Sequence, residues 1–310
     1  MPTFKPDTDI PDLSGKVILV TGGNIGLGKE TVLQLSKHNP AQIFLAARTK
    51  SKALAAIEDI RKAVPDAAPI TYLSLDLSSF DSIKKAVADF HVQSEQLHIL
   101  INNAGIMGVP PGKTKDGYEI QFGTNHVGHA LLTKLLLPTL KKTAIATTPP
   151  QDVRIITVAS KAEGWGPLPS PSEFDKFKTD MASISTFARY GISKTANVLY
   201  AHALSCRHPE IRSISLHPGS VNTNISSGIG ASWPVLKPLL RVSGFLGDVF
   251  ATSVSTGAKN QLWAAVSPEA KSGEFYHPVG MTGKGSKNSC DQSLEEEIWK
   301  WTEKELECHV

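Results

Sequence analysis

The chain is short of the features that mark secreted, membrane-spanning or nucleic-acid-binding proteins. Only three cysteines occur in 310 residues, Cys206, Cys290 and Cys308, and no two form a Cys-x-x-Cys pair. That scatter offers neither a disulfide framework nor a zinc-ligand pattern, and it suggests a reducing compartment, with the cytoplasm as the expected location. Charge of one sign is scarce as well: 32 Lys and Arg stand against 29 Asp and Glu, and no run of like charges appears. A formal charge of +3 gives no electrostatic footprint for nucleic acid or a membrane surface. The opening MPTFKPDTDIPDLSG is polar, holds three prolines and lacks an apolar signal core. Uninterrupted apolar stretches of about 18 residues are also missing, so no transmembrane helix is expected. The nearest candidate, residues 233–251, is broken by Lys237, Pro238, Arg241 and Gly244. It reads as an apolar lid over a substrate pocket, with buried core, a partner surface or membrane-surface contact as alternatives.

What is present is a regular alternation. Hydrophobic residues make up 41% of the chain, enough for a buried core. Short apolar runs at Val17–Thr21, Ile43–Ala47, Ile70–Leu75, Leu97–Ile101, Val153–Ala159 and Arg212–Leu216 read as strands, with a short seventh at Glu274–His277. Helical spacing appears between them over 26–38, 50–64, 79–93, 116–141 and 184–206, and then over 252–266 and 293–306. Such alternation predicts parallel strands with crossover helices on both faces, in an α/β fold. The Pro-rich stretches 143–151 and 164–180 read as surface loops, so one domain over 1–310 is expected. Its cofactor half would span about 15–150, its catalytic and substrate half about 151–310, with the lid over about 222–250.

The first strand runs directly into Thr21-Gly22-Gly23-Asn24-Ile25-Gly26-Leu27-Gly28 and then a helix. Glycines there permit a tight turn and let backbone approach a pyrophosphate, while the helix N-terminus faces the charge. The spacing is Gly-x3-Gly-x-Gly, not the general Gly-x-Gly-x-x-Gly fingerprint. A carboxylate about 20 residues on would grip the ribose hydroxyl of NAD. Here the second strand ends in Ala47-Arg48-Thr49. Arg48 offers forked donors suited to a 2′-phosphate, so NADP(H) is expected over NAD(H); a surface arginine opening a helix is the alternative. Leu75-Asp76-Leu77 and Asn102-Asn103-Ala104-Gly105 follow the third and fourth strands. Both fall at carboxyl ends, where open α/β sheets bind ligands. Asp76 suits the adenine amino group or, equally, a cap for the helix at Ser79. Asn103 and Gly105 suit the cofactor's ribose.

Ser160 lies just past the fifth strand, and Tyr190-Gly191-Ile192-Ser193-Lys194 lies within a helical pattern. A spacing of four puts Tyr190 and Lys194 on one helix face. A phenol titrates near 10, and a neighbouring ammonium favours its ionised form, which suits general acid–base work. Amphipathic helices often carry such a pair without any function. His126 and His129 are spaced like some metal ligands, but no third ligand is apparent and no metal is expected. A Ser160–His217 hydrolase arrangement lacks a Gly-x-Ser-x-Gly elbow.

TGGNIGLG, Asp76, NNAG, Asn125, Ser160, YGISK and His217-Pro218-Gly219 together resemble the short-chain dehydrogenase/reductase family over roughly residues 15–280. LAART and TNHVGHALLTKLLLPTL are most similar to its retinol-dehydrogenase-like branch, and the PDLSGKVILVTGG opening to fungal members, some of which tailor secondary metabolites. The resemblance implies a single doubly wound Rossmann-type parallel sheet of about seven strands, ordered 3-2-1-4-5-6-7. It implies Tyr190 as general acid/base, Lys194 binding the nicotinamide ribose and lowering the Tyr190 pKa, Ser160 orienting substrate, and Asn125 holding a water of a proton relay. Gly22, Ile25, Leu27, Arg48, Asp76, Asn103, Pro218, Val221 and Thr223 match its cofactor-contacting positions, with Asn24, Gly26, Gly28, Leu77, Ala104, Gly105 and Gly219 alongside them. The implied activity is hydride transfer between NADP(H) and a carbonyl or alcohol of a hydrophobic small molecule, in a possible homodimer or homotetramer. A silent NADP-sensing protein, or enone reduction or dehydration on the same site, are the alternatives.

Overall fold

The computed structural model describes residues 4–148, 150–166, 168–221 and 252–310. Among them, seven strands form one parallel sheet: β1 Val17–Thr21, β2 Gln42–Ala47, β3 Ile70–Ser74, β4 Ile99–Asn102, β5 Arg154–Val158, β6 Arg212–Leu216 and β7 Phe275–Tyr276. Their order is 3-2-1-4-5-6-7, as expected. The crossing point lies between β1 and β4, where Ile18 pairs with Ile99 and Val20 with Ile101. Every residue of β1 is buried, because a parallel sheet covered on both faces has no solvated side.

Alternation along each strand sorts the core into two layers. Leu19, Phe44, Leu73, Leu100 and Ile155 point to one face. There they meet α4 (Phe80–His91), α6 (Gly128–Ala144), α7 (Thr186–Arg207) and α9 (Gln292–Leu306). Ile18, Val20, Ile43, Leu45, Ile101 and Ile156 point the other way, onto α2 (Gly26–Ser36), α3 (Lys50–Ala63) and α8 (Val254–Val266). Two shorter helices complete the α-helices among the described residues, α1 (Pro6–Asp9) and α5 (Ile120–Phe122).

Two sequence expectations need correction. The helix expected from Asp116 starts at Ile120, because Gly117 turns the chain at φ +93° and Lys113 bridges Glu119. The Asp116 carboxylate instead accepts the Phe80 amide of α4 at 2.9 Å. From α5 the chain continues through a π-helical turn, Gly123–Val127, into α6, which absorbs Pro138.

The stretch 164–180 is not a plain surface loop. Pro171–Lys178 forms a 3-10 helix whose Phe174 and Phe177 are buried. Three residues per turn put these two rings on one side. Phe177 stacks on Phe122 with centroids 3.9 Å apart, and Trp301 of α9 meets it edge-on at 5.2 Å. Trp299 stacks on Tyr200 at 5.0 Å with Arg207 over its ring. Trp263 is likewise buried in the core.

Phe177→Ala leaves a cavity between Phe122 and Trp301. A loss of about 3–5 kcal/mol is expected in urea unfolding; an unchanged midpoint would contradict this packing.

Candidate active site

The carboxyl ends of β1 and β2 build a turn that only glycines can make. Gly22 and Gly26 hold φ of +65° and +55°, a region that L side chains rarely enter. The amides of Gly22 and Gly23 both donate to the Ala46 carbonyl, at 2.8 and 3.3 Å. A Cβ on Gly28 would fall 2.3 Å from the Gly22 oxygen, so α2 abuts the turn through bare backbone. Ile25 caps α2 without any side-chain hydrogen bond. Its first amides and positive end thus face the turn with no capping oxygen, which fits a pyrophosphate. Asn24 and Leu27 flank the turn, half-buried.

The other expected cofactor positions gather around this turn. Arg48 is exposed one residue beyond β2. Asn103 donates its side chain to the Thr21 carbonyl at 2.8 Å, and the Asn103 and Ala104 amides both donate to the Thr21 hydroxyl at 2.9 Å. A Cβ on Gly22 would lie 3.1 Å from Ala104. Val221 packs at Gly257 of α8, where Leu27 also touches. Pro218 and Gly219 follow β6, with Gly219 at φ +95°. Leu77 is buried in the core beneath Gly128, so its side chain does not face the turn. Asp76 accepts from the Ser78 amide and hydroxyl at 3.0 and 2.7 Å, while Ser79 itself caps α4. Thr223 and the expected lid at 222–250 lie outside the described residues.

The second half of the site sits where β4 and β5 end. Ser160 follows β5 and caps a 3-10 turn, Lys161–Gly164, by accepting the Ala162 amide at 3.1 Å. Helix α7, capped by Ser185, carries Tyr190 and Lys194, which are 4% and 2% exposed. Lys194 Nζ donates to the Val158 carbonyl at 2.7 Å and stands 5.7 Å from the Tyr190 ring centre. Asn125 lies in the π-helical turn, a feature that often marks functional sites. Its carboxamide clamps Ile106, accepting the amide at 2.8 Å and donating to the carbonyl at 3.0 Å. It also donates to the Ser193 hydroxyl at 3.0 Å, which in turn donates to the Tyr190 carbonyl at 2.7 Å. A Cβ on Gly105 would lie 3.4 Å from Asn125 Oδ1 and 3.6 Å from Lys194 Nζ. Ser160, Tyr190, Lys194 and Asn125 are therefore brought together.

The electrostatics differ from the sequence expectation. Burial pushes the Tyr190 phenol up to about 12, against a hydrogen bond with Ser160 that pulls it down. Burial lowers the Lys194 ammonium to about 7. The downward shift expected from Lys194 is not found: burial sets the direction for the phenol, and Ser160 alone opposes it.

Sequence reasoning missed the link between the two halves. His129 Nε2 bonds the Thr21 hydroxyl at 2.9 Å and Nδ1 bonds the Asn125 carbonyl at 2.9 Å. Burial holds His129 down to about 4 and His126 to about 3, so both stay neutral. His126 bonds Thr302 of α9 at 3.0 Å. The two rings thus have separate hydrogen-bonding partners rather than a shared metal-binding face. Gln261 of α8 was also missed: it donates to the Thr31 hydroxyl and to Leu27 and Asn103 oxygens beside the turn. The histidine spacing was the available signal, but it was weighed only as a metal pair and set aside.

Known proteins resemble the chain in sequence and in fold. The family model described as short chain dehydrogenase matches residues 16–168. A short-chain dehydrogenase/reductase of Armillaria gallica is 40% identical over 97% of this chain and 92% of its own length. Retinol dehydrogenase 12 of Mus musculus is 34% identical over 85% of this chain and 78% of its own. The structure of an NADPH-bound carbonyl reductase from chicken fatty liver superposes with a TM-score of 0.62 at 24% identity, covering 87% of this chain and 99% of that one.

Gly28→Ala forces a Cβ into the Gly22 carbonyl and must open the turn. Dinucleotide affinity, read by fluorescence titration of the reduced cofactor, is expected to fall at least about tenfold. Unchanged binding would mean the turn is not the cradle.

Proposed function

The chain belongs to the short-chain dehydrogenase/reductase family, and from that membership we propose an NADP(H)-dependent oxidoreductase that interconverts a carbonyl and an alcohol on a hydrophobic small molecule. The observation that carries the reading is the convergence of Ser160, Tyr190, Lys194 and Asn125 at the carboxyl ends of β4 and β5. Burial there excludes water and strengthens every hydrogen bond made to a substrate oxygen. When bound, the nicotinamide supplies or accepts the hydride.

Each residue then has a task. In reduction, the Tyr190 hydroxyl gives its proton to the substrate oxygen; in oxidation, its oxygen takes the alcohol proton. Ser160 holds that same oxygen against the phenol. Lys194, charged, steadies the ionised phenol and holds the nicotinamide ribose. Asn125 orders the Ile106 backbone and the Ser193 hydroxyl beside the Tyr190 turn, and is the site of the expected water relay. Gly22, Gly26 and Gly28 admit the pyrophosphate. Support for the 2′-phosphate rests on Arg48, exposed beside the strand end that anchors the glycine turn.

The directions of titration set the pH behaviour. Reduction draws on the protonated phenol, so its rate holds above neutrality until Tyr190 ionises. Oxidation draws on the ionised phenol and rises over the same range. Lys194 titrates near 7, so the reduction plateau carries a first step down close to neutrality as the ammonium charge is lost, ahead of the Tyr190 limb.

The test is a panel of aromatic and aliphatic ketones and aldehydes, 9,10-phenanthrenequinone and retinal, with the matching alcohols, run with NADPH and NADH separately. Tyr190→Phe is expected to lower kcat about 10²–10⁴-fold, and activity surviving in it refutes the proton donor. Arg48→Ala is expected to raise KM for NADPH about tenfold or more while sparing NADH. A wild-type preference for NADH refutes the role of Arg48.

A further inference from the structure

Immediately before Tyr190 stands an arginine that the mechanism above does not use. Arg189 and Glu119 form an ion pair with side chains 1% and 0% exposed, Nη1 to Oε1 at 2.5 Å. Every donor nitrogen of the guanidinium is engaged: Nη2 donates to the Val109 carbonyl at 3.0 Å and Nε to the Ile184 carbonyl at 3.3 Å. The second carboxylate oxygen of Glu119 accepts the Gln121 and Phe122 amides at 2.9 and 2.6 Å, capping α5.

Gln121 extends the arrangement. Its side-chain oxygen accepts the Gly108 amide at 2.9 Å, and its nitrogen donates to the Thr186 carbonyl at 2.9 Å. The Thr186 hydroxyl donates to the Val109 carbonyl at 2.8 Å. Three segments thus meet at one buried point. One is the loop after β4, whose Ile106 is gripped by Asn125. Another is the start of the helix that leads into Asn125. The third is the first turn of α7, which carries Tyr190.

A buried ion pair is weak evidence for stability, since an apolar pair of similar volume often does as well or better. What such a pair does provide is fixed geometry: a planar fork has one orientation that satisfies its donors together. Greasy packing at this junction would fill the space without setting the rotation of α7 against the β4 loop.

We infer that Arg189 and Glu119 are positioning residues that set Tyr190 and Asn125 in register with each other and with the β4 loop. This rests on the reading of Tyr190 as the proton donor. Misplacement of reacting groups by about 1 Å can cost up to about a hundredfold in rate, so the pair acts on kcat through Tyr190 rather than by touching substrate. The glycine turn that would hold the pyrophosphate lies on the ends of β1 and β2, away from the pair, so the effect on cofactor binding is expected to be small beside the effect on kcat.

The test separates fold from geometry by replacing the pair instead of breaking it. The double variant Glu119→Leu/Arg189→Met is compared with the wild type and with Arg189→Lys, which keeps the charge but cannot reach Glu119, Val109 and Ile184 together. Each is assayed with NADPH and 9,10-phenanthrenequinone, or the best carbonyl of the panel, for kcat, KM, the pH profile of kcat and melting temperature. The expected result is a melting temperature lowered by several degrees in both variants, since the amides and carbonyls that the pair satisfied lose partners, with KM for NADPH within about twofold and kcat at about 25 °C, where both stay folded, down about tenfold to a hundredfold in the apolar pair. Arg189→Lys falls between, and the alkaline limb of kcat moves as the Tyr190 surroundings change. A merely structural role predicts that kcat and the pH profile follow the melting temperature. An apolar-pair variant that folds with wild-type kcat overturns the inference. Should that variant fail to fold, an undiminished kcat in Arg189→Lys overturns it equally. A wild type with no turnover on any carbonyl sinks the parent reading as well, whereas turnover with undiminished variants sinks this one alone.

Discussion

A lysine held almost dry at the end of a parallel sheet is the costly element around which the rest is arranged. Lys194 has one short bond, to the Val158 carbonyl, and burial draws its proton affinity down toward neutrality. Charge in such a place is tolerable only where dipoles and a negative partner converge. The arrangement supplies the Val158 carbonyl from the strand end and leaves the ring of Tyr190 alongside, 5.7 Å away. Burial disfavours the charged form of each group taken singly. Neither ionises readily alone, but an ammonium and a phenolate stabilise each other when both form. A proton can then leave the oxygen without bare charge being stranded in the interior.

Much of this was legible in the residues. Runs of β-branched and aliphatic side chains marked β1 and β2 closely, since strands covered on both faces need no polar alternation. The glycine turn was legible because each glycine answers a steric demand: Gly22 and Gly26 in dihedral angle, Gly28 in contact distance. Tyr190 and Lys194 were legible because helix pitch alone aligns them.

What was not legible depends on distant partners. The Arg189–Glu119 pair joins residues 70 positions apart, and no local pattern encodes it. Asp116 resembles part of a helix until the Phe80 amide claims its carboxylate. Phe174 and Phe177 have the spacing of a 3-10 turn, but prolines and charges around them disguise it as loop. The direction of the Tyr190 shift also escaped, because burial is a property of the folded neighbourhood rather than of the Tyr-x3-Lys spacing.

Helix α9 has a consequence for the order of assembly. Its Trp301 closes over Phe122 and Phe177, and its Thr302 meets His126, so it covers the outer side of the turn that bears Asn125. That helix follows every strand in the chain. A polypeptide emerging from the ribosome can pair its whole sheet and still present an uncovered aromatic face until those final turns dock. Such a face is a natural target for chaperone capture. The surroundings of Asn125 are then completed only after the glycine turn is already formed.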